Sequence, residues 1–172
     1  MKKTSIYIFF IILGINSSAQ IIKEYPISNS GCSAYMYCKP EKFDLDYSED
    51  SSRVYTGECR LGDEHYGLIC IKLLVATTSL DAAEEVMTEY LDYLKGSFNI
   101  VSAAGYGKGH HLNNDENTRG ILDYWTDKDK NNWKVKAWTD GKFIGVMYAY
   151  SLKDLPEQKV NVFLDGFRLP KK

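Results

Sequence analysis

The chain has 172 residues, 21 basic and 23 acidic side chains, and a formal net charge of −2. That length suits one ordinary domain with a core large enough to be stable unaided. The mild acidity gives no basic face for nucleic acid and excludes that class of partner.

Residues 1–19 read as a signal peptide. Lys2 and Lys3 form a basic start, Ile6 to Ile15 an apolar core, and Asn16-Ser17-Ser18-Ala19 place small residues before a cleavage point at Gln20. The apolar run is half of the roughly twenty residues that a spanning helix needs. No cysteine stands at the cleavage point, which argues against a lipoprotein anchor. The mature protein is expected to be exported, periplasmic or extracellular, and not membrane-spanning.

Residues 20–40 contain Pro26, Asn29 and Gly31 and read as an N-terminal leader with little core; residues 41–169 read as a single domain. Phe43, Leu45 and Tyr47 alternate as a strand, closed by the acidic loop 48–52. Residues 53–60 and 66–75 suggest a hairpin around Leu61-Gly62-Asp63-Glu64-His65. Its second arm (Leu68, Ile69, Ile71, Leu73, Leu74, Val75) is apolar enough to be central in a sheet.

Thr77, Thr78 and Ser79 then offer helix N-caps, with Asp81, Glu84 and Glu85 in the first turns where the dipole favours negative charge. Leu80, Ala83, Val86, Met87, Tyr90, Leu91 and Leu94 form one stripe at helical spacing, and Gly96 is a candidate stop.

From Asn99 the pattern returns to strands at 100–104, at Gly120–Trp125 and from Trp133. Between them, Gly105-Tyr106-Gly107-Lys108-Gly109 suggests a bulged or closely approached strand. Lys128, Lys130, Lys134 and Lys136, interleaved with Asp127 and Asp129, suggest a solvated hairpin. Asp140-Gly141 signals a type I′ turn before a returning strand, Phe143 to Tyr150. Pro156 opens a last helix lined by Val160, Phe163, Leu164 and Phe167. The order implies an α+β fold, an antiparallel β-sheet with helices packed on its faces.

Thirteen tyrosines and three tryptophans fit half-buried pleated surfaces, since most lie within these strands; a stacking surface for ligands is the other reading. An even number of cysteines behind a signal peptide favours disulfides. Cys59 and Cys70 flank the polar stretch 61–65 and are expected to pair, leaving Cys32 and Cys38 as the second pair. A zinc site would want a shorter CxxC spacing.

Two stretches carry a family resemblance. One is Ile71-Lys72-Leu73-Leu74-Val75 leading into Ser79-Leu80-Asp81-Ala82-Ala83; the other is the ending Phe163-Leu164-Asp165-Gly166-Phe167-Arg168-Leu169. With the element order, they resemble the PsbP-like α/β/α sandwich, a family that includes an extrinsic photosystem subunit and bacterial exported proteins of unknown role. The resemblance implies that sandwich over residues 41–169 and a non-catalytic role. Gly166 stands where a small polar residue is more usual, and no functional residue carries over.

The chemistry-bearing residues are few. His110 and His111 are weak metal candidates, because neighbours on a strand point to opposite faces and share an ion only from a loop. His65 falls in the expected hairpin loop. There is no G-x-S-x-G elbow, no triad context for a serine or cysteine, and no marked carboxylate pair. Gly105-x-Gly107-x-Gly109 lacks the dinucleotide-binding spacing. No catalytic residue and no cofactor are therefore assigned.

The expected function is that of an exported non-enzymatic module binding a protein or cell-envelope component, with the loop 105–117 as the segment to watch. The alternative is a small secreted hydrolase or metal-dependent enzyme with a dispersed site. A cluster of Asp, Glu, His and Tyr around one deep pocket would favour that alternative. Exposed coplanar rings from Trp125, Trp133 or Trp138 would point to a carbohydrate ligand.

Overall fold

A computed structural model describes residues 21–170. The signal peptide expected at residues 1–19 lies outside the described residues. The chain forms β1 (Lys23–Pro26), β2 (Ser33–Met36), β3 (Asp44–Tyr47), β4 (Arg53–Leu61), β5 (Glu64–Lys72) and α1 (Leu80–Ser97). There follow β6 (Ile100–Ala103), β7 (Gly107–His110), a 3₁₀ turn (Leu112–Asn114), β8 (Arg119–Asp127), β9 (Asn132–Thr139), β10 (Phe143–Ser151), α2 (Glu157–Leu164) and β11 (Phe167–Arg168).

The fold is α+β with an antiparallel main sheet ordered β3-β4-β5-β10-β9-β8-β6, β7 also pairing with β8. Helix α1 covers β8, β9 and β6 on one face; α2 packs against β10 and β9. Under α1 lie Ile69, Ile71, Ile121, Trp125, Val135 and Val146. The other face buries Tyr55, Tyr66, Leu68, Met147, Val160 and Phe163. Period-two alternation along β5, β9 and β10 supplies both cores, and β5 and β10 read as near-continuous apolar runs because both of their faces are covered.

Helix α1 begins where its sequence signals place it. The Ser79 hydroxyl accepts from the Ala82 N–H at 3.1 Å, a cap that contributes about 1 kcal/mol. Gly96 does not stop the helix, which runs to Ser97; Asn99 instead takes the left-handed position, at φ 53°. Asparagine tolerates that conformation better than most residues.

Several expectations change. The leader is not loose: β1 and β2 form a three-stranded sheet with β11, and Ile27, Cys32, Ala34 and Met36 are buried in the same core as α2. Phe167 accordingly belongs to β11, paired with Ala34, and not to the last helix. The 61–65 stretch shrinks to a turn at Gly62-Asp63, because Leu61 pairs with Glu64 and His65 with Arg60. Leu74 and Val75 lie beyond β5 and are exposed. Asp140 does not adopt the positive φ that a type I′ turn requires; Gly141 alone does, at 85°. The Asp140 carboxylate accepts from the N–H groups of Lys142 and Phe143 and closes the turn that way.

The expected solvated lysine hairpin is also corrected. Lys134 is only 6% exposed, its ammonium donating to Asn161 Oδ1 at 2.7 Å on α2. Asp127 is buried at the turn, where its carboxylate accepts from Asn131 and from Trp133 Nε1.

Candidate functional site

Helix α2 covers only part of its face of the sheet, and beside it lies an open cleft of about 890 Å³. Its floor is Lys136 and Trp138 of β9; its walls are His110, His111 and Asn113 on one side and Asp165 on the other. The floor is fixed by a close approach. Trp138 lies over Gly120, where an added Cβ would sit 2.4 Å from the ring and 2.9 Å from His110 Cβ. Trp138 Nε1 donates to the Leu164 carbonyl at 3.1 Å, locking the ring to the end of α2. The Lys136 ammonium sits 4.5 Å above that ring and 2.6 Å from the Asp165 carboxylate.

The two histidines sit in this cleft and play different parts. His111 Nδ1 is 2.8 Å from the Thr118 carbonyl. A carbonyl only accepts, so Nδ1 carries the proton and Nε2 is left as an acceptor in the neutral ring. His110 ends β7, and its pKa is lowered by burial and by the Lys136 ammonium, with Asp165 opposing and His111 adding to the fall. The register shift between Gly107 and His110 against β8 is the bulge that the glycine alternation signalled. Asn113 and Asn114 both take positive φ (51° and 60°) and hold the loop over the cleft. Among the described residues, no three His, Cys, Asp or Glu side chains are grouped to hold a metal ion.

His65 lies elsewhere, in a second cleft of about 640 Å³ beside β4. Glu58 gathers three donors there: His65 Nδ1 at 3.0 Å, the Tyr150 hydroxyl at 3.0 Å and the Tyr148 hydroxyl at 3.2 Å. The His65 ring stacks on Tyr150 at 4.4 Å, and Tyr150 stacks on Trp133 at 4.1 Å. Burial and the Glu58 carboxylate push both phenols above their ordinary value, so at neutral pH they are donors and not bases. A carboxylate that orients a histidine is two parts of a nucleophilic triad. Among the described residues no hydroxyl or thiol is hydrogen-bonded to His65, whose ring nitrogen pairs with Glu58.

Sequence reasoning named His110 and His111 but missed Lys136 and Asp165, which meet across 29 residues. It also missed Glu58 with His65, for which the only signal was their position on facing strands. Trp125, Trp133 and Trp138 are buried at 2%, 7% and 2% exposure and give no exposed stacking platform.

The cysteines pair otherwise than expected. Cys38 is bonded to Cys59, with Cα atoms 5.8 Å apart. Cys59 lies across from Tyr66 and Cys70 across from Tyr55, so the expected Cys59–Cys70 partners are four strand positions out of register, about 13 Å. The expected Cys32–Cys38 pair fails with it, because Cys32 enters the core ahead of β2 while Cys38 leaves past its far end.

No protein-family model and no curated protein matches this chain. Among the described residues, no helix is long and apolar enough to cross a membrane.

Proposed function

We propose that this protein is an exported, non-enzymatic recognition module that binds a partner protein or envelope component through the cleft beside α2. The observation that carries the reading is the pairing inside the cleft. Lys136 is held by Asp165, and His111 is fixed on Thr118. Such side chains form a preorganised hydrogen-bonding surface. The Cys38–Cys59 bond fits a compartment that oxidises thiols. The PsbP-like kinship that the sequence suggested is part of this proposal, and with it a non-catalytic role; the α+β order with a mostly antiparallel sheet is compatible with it.

The test is site-specific photo-crosslinking in the native envelope, with the probe at Asn113 over the cleft and, as control, at Glu85 on the exposed side of α1. A discrete adduct from position 113 alone, lost when His110 is replaced by Ala, supports the reading. Equal adducts from both positions, or a hydrolytic activity abolished by the same replacement, overturns it.

A secreted hydrolase remains the second reading, favoured by one observation: Glu58 orients His65 at the rim of the second cleft. It requires that His65→Ala abolish an ester- or amide-cleaving activity of the purified protein.

A further inference from the structure

Cys32 and Cys70 are both buried, at 2% and 0% exposure, in one core cluster. Cys32, Ala34 and Met36 form a single inward row running into β2. Cys70 stands in β5 between Tyr55 on β4 and Gly145 on β10. Both of these neighbours are met by the small sheet that carries Cys32. The Tyr55 hydroxyl donates to Asn29 Oδ1 at 2.8 Å, three residues before Cys32. Gly145 is capped by the ring of Phe167, which pairs with Ala34, two residues after Cys32. Cys70 therefore sits under the stretch 29–34. Its thiol is in hydrogen-bonding contact with Cys32 and Ser30, and the Ser30 hydroxyl accepts from the Cys32 N–H at 3.0 Å.

We propose that Cys32 and Cys70 are the sites of a second disulfide, which ties the three-stranded sheet to the centre of the main sheet. The competing reading is a pair of thiols acting as small apolar core residues. Both are free thiols in this structure; what favours the bond is that the Cys70 side chain is in contact with that of Cys32 in a protein that already holds one disulfide. The proposal does not depend on either cleft.

The chemistry balances with a disulfide oxidant of the thiol-exchange class. One cysteine thiolate attacks the oxidant's disulfide and releases one of its sulfurs as a thiol. The second cysteine then displaces the other oxidant sulfur from the mixed disulfide. Two protein thiols are oxidised and one oxidant disulfide is reduced to two thiols. Contact with Cys32 and burial both push the Cys70 thiol up once the core is formed. Exchange needs the thiolate, so closure belongs to the stage before the small sheet docks.

The test is refolding of the full chain in a glutathione redox buffer, then alkylation in denaturant without reduction and peptide mapping. The closed Cys38–Cys59 bond serves as internal control for oxidation. A Cys32–Cys70 crosslinked peptide, with an intact mass lower by one hydrogen for every cysteine, is the expected result. With Cys38–Cys59 closed, full alkylation of Cys32 and Cys70 overturns the proposal, and so does a bond from either of them to any other thiol.

Discussion

The ring of Tyr148 occupies the space that a side chain on its cross-strand partner Gly67 would need: an added Cβ would stand 2.1 Å from the ring. The ring cannot swing away, because it packs against Trp133 and Phe98 and its hydroxyl donates to Glu58. Gly67→Ala should therefore destabilise by about 1–3 kcal/mol, the usual cost of overpacking. Combined with Tyr148→Ala, the loss should be smaller than the sum of the two, because the clash goes with the ring. Denaturant midpoints of the two single variants and the double variant check this.

The Asp127 carboxylate closes the β8–β9 turn while also accepting from Trp133 Nε1 at 2.9 Å. Burial opposes its ionisation, yet donors from Asn131, Trp133 and Asp129 together hold its pKa below 3.8. A carboxylate with a depressed folded value gives stability that is present above its unfolded value and lost as pH falls through the folded one. The contribution should fade below about pH 4. Asp127→Ala leaves a buried indole N–H without its partner and should cost about 2 kcal/mol, with a shallower acid limb in pH-dependent unfolding. Asp127→Asn keeps an acceptor and should recover part of the loss.

The Cys38–Cys59 bond spans 21 positions. On the chain-entropy account, replacing both cysteines with Ser should cost about 3 kcal/mol, read as a fall of about 10 °C in thermal midpoint for a domain of this size. Reductant should lower the midpoint of the wild type by more than that of the Cys38→Ser/Cys59→Ser variant, in which only the proposed Cys32–Cys70 bond is left to reduce.

How far the sequence could be read follows from which signals are local. Helix α1 was legible because its cap and stripe lie within one element, and Ser79 and Leu91 need no distant partner to be recognised. Strands β9 and β10 were legible from alternation. The disulfide was not, because flanking a turn does not make two residues opposed: a turn at 61–65 already sets Cys59 across from Gly67, and the Leu61–Glu64 pair moves its partner one further from Cys70, to Tyr66. The burial of Lys134 was illegible for a similar reason. Its partner, Asn161, is 27 residues away on α2, and nothing local marks the pair. The cleft beside α2 was half visible: the histidine-bearing loop stood out by composition, while Lys136 and Asp165 looked like ordinary surface charge.

His110 provides the pH-dependent prediction for that cleft. The groups that face it are Lys136 from β9, Asp165 after α2 and its neighbour His111, and the balance lowers its pKa below the ordinary 6.5. The fold thus prefers the neutral ring, and the unfolded chain binds the proton more readily. Stability from this site is complete above about pH 6.5 and is lost as pH falls through the lower folded value. His110→Gln should flatten the change in denaturant midpoint between about pH 7 and pH 5 and leave the midpoint above that window nearly unchanged. Lys136→Met removes a positive charge that lowers the His110 pKa and keeps Asp165, so the His110 ring should titrate at a higher pH, as followed by NMR of its ring protons. If the cleft is the recognition surface, partner capture by the wild type should weaken as the pH falls through the His110 transition, and capture by His110→Gln should not follow that transition.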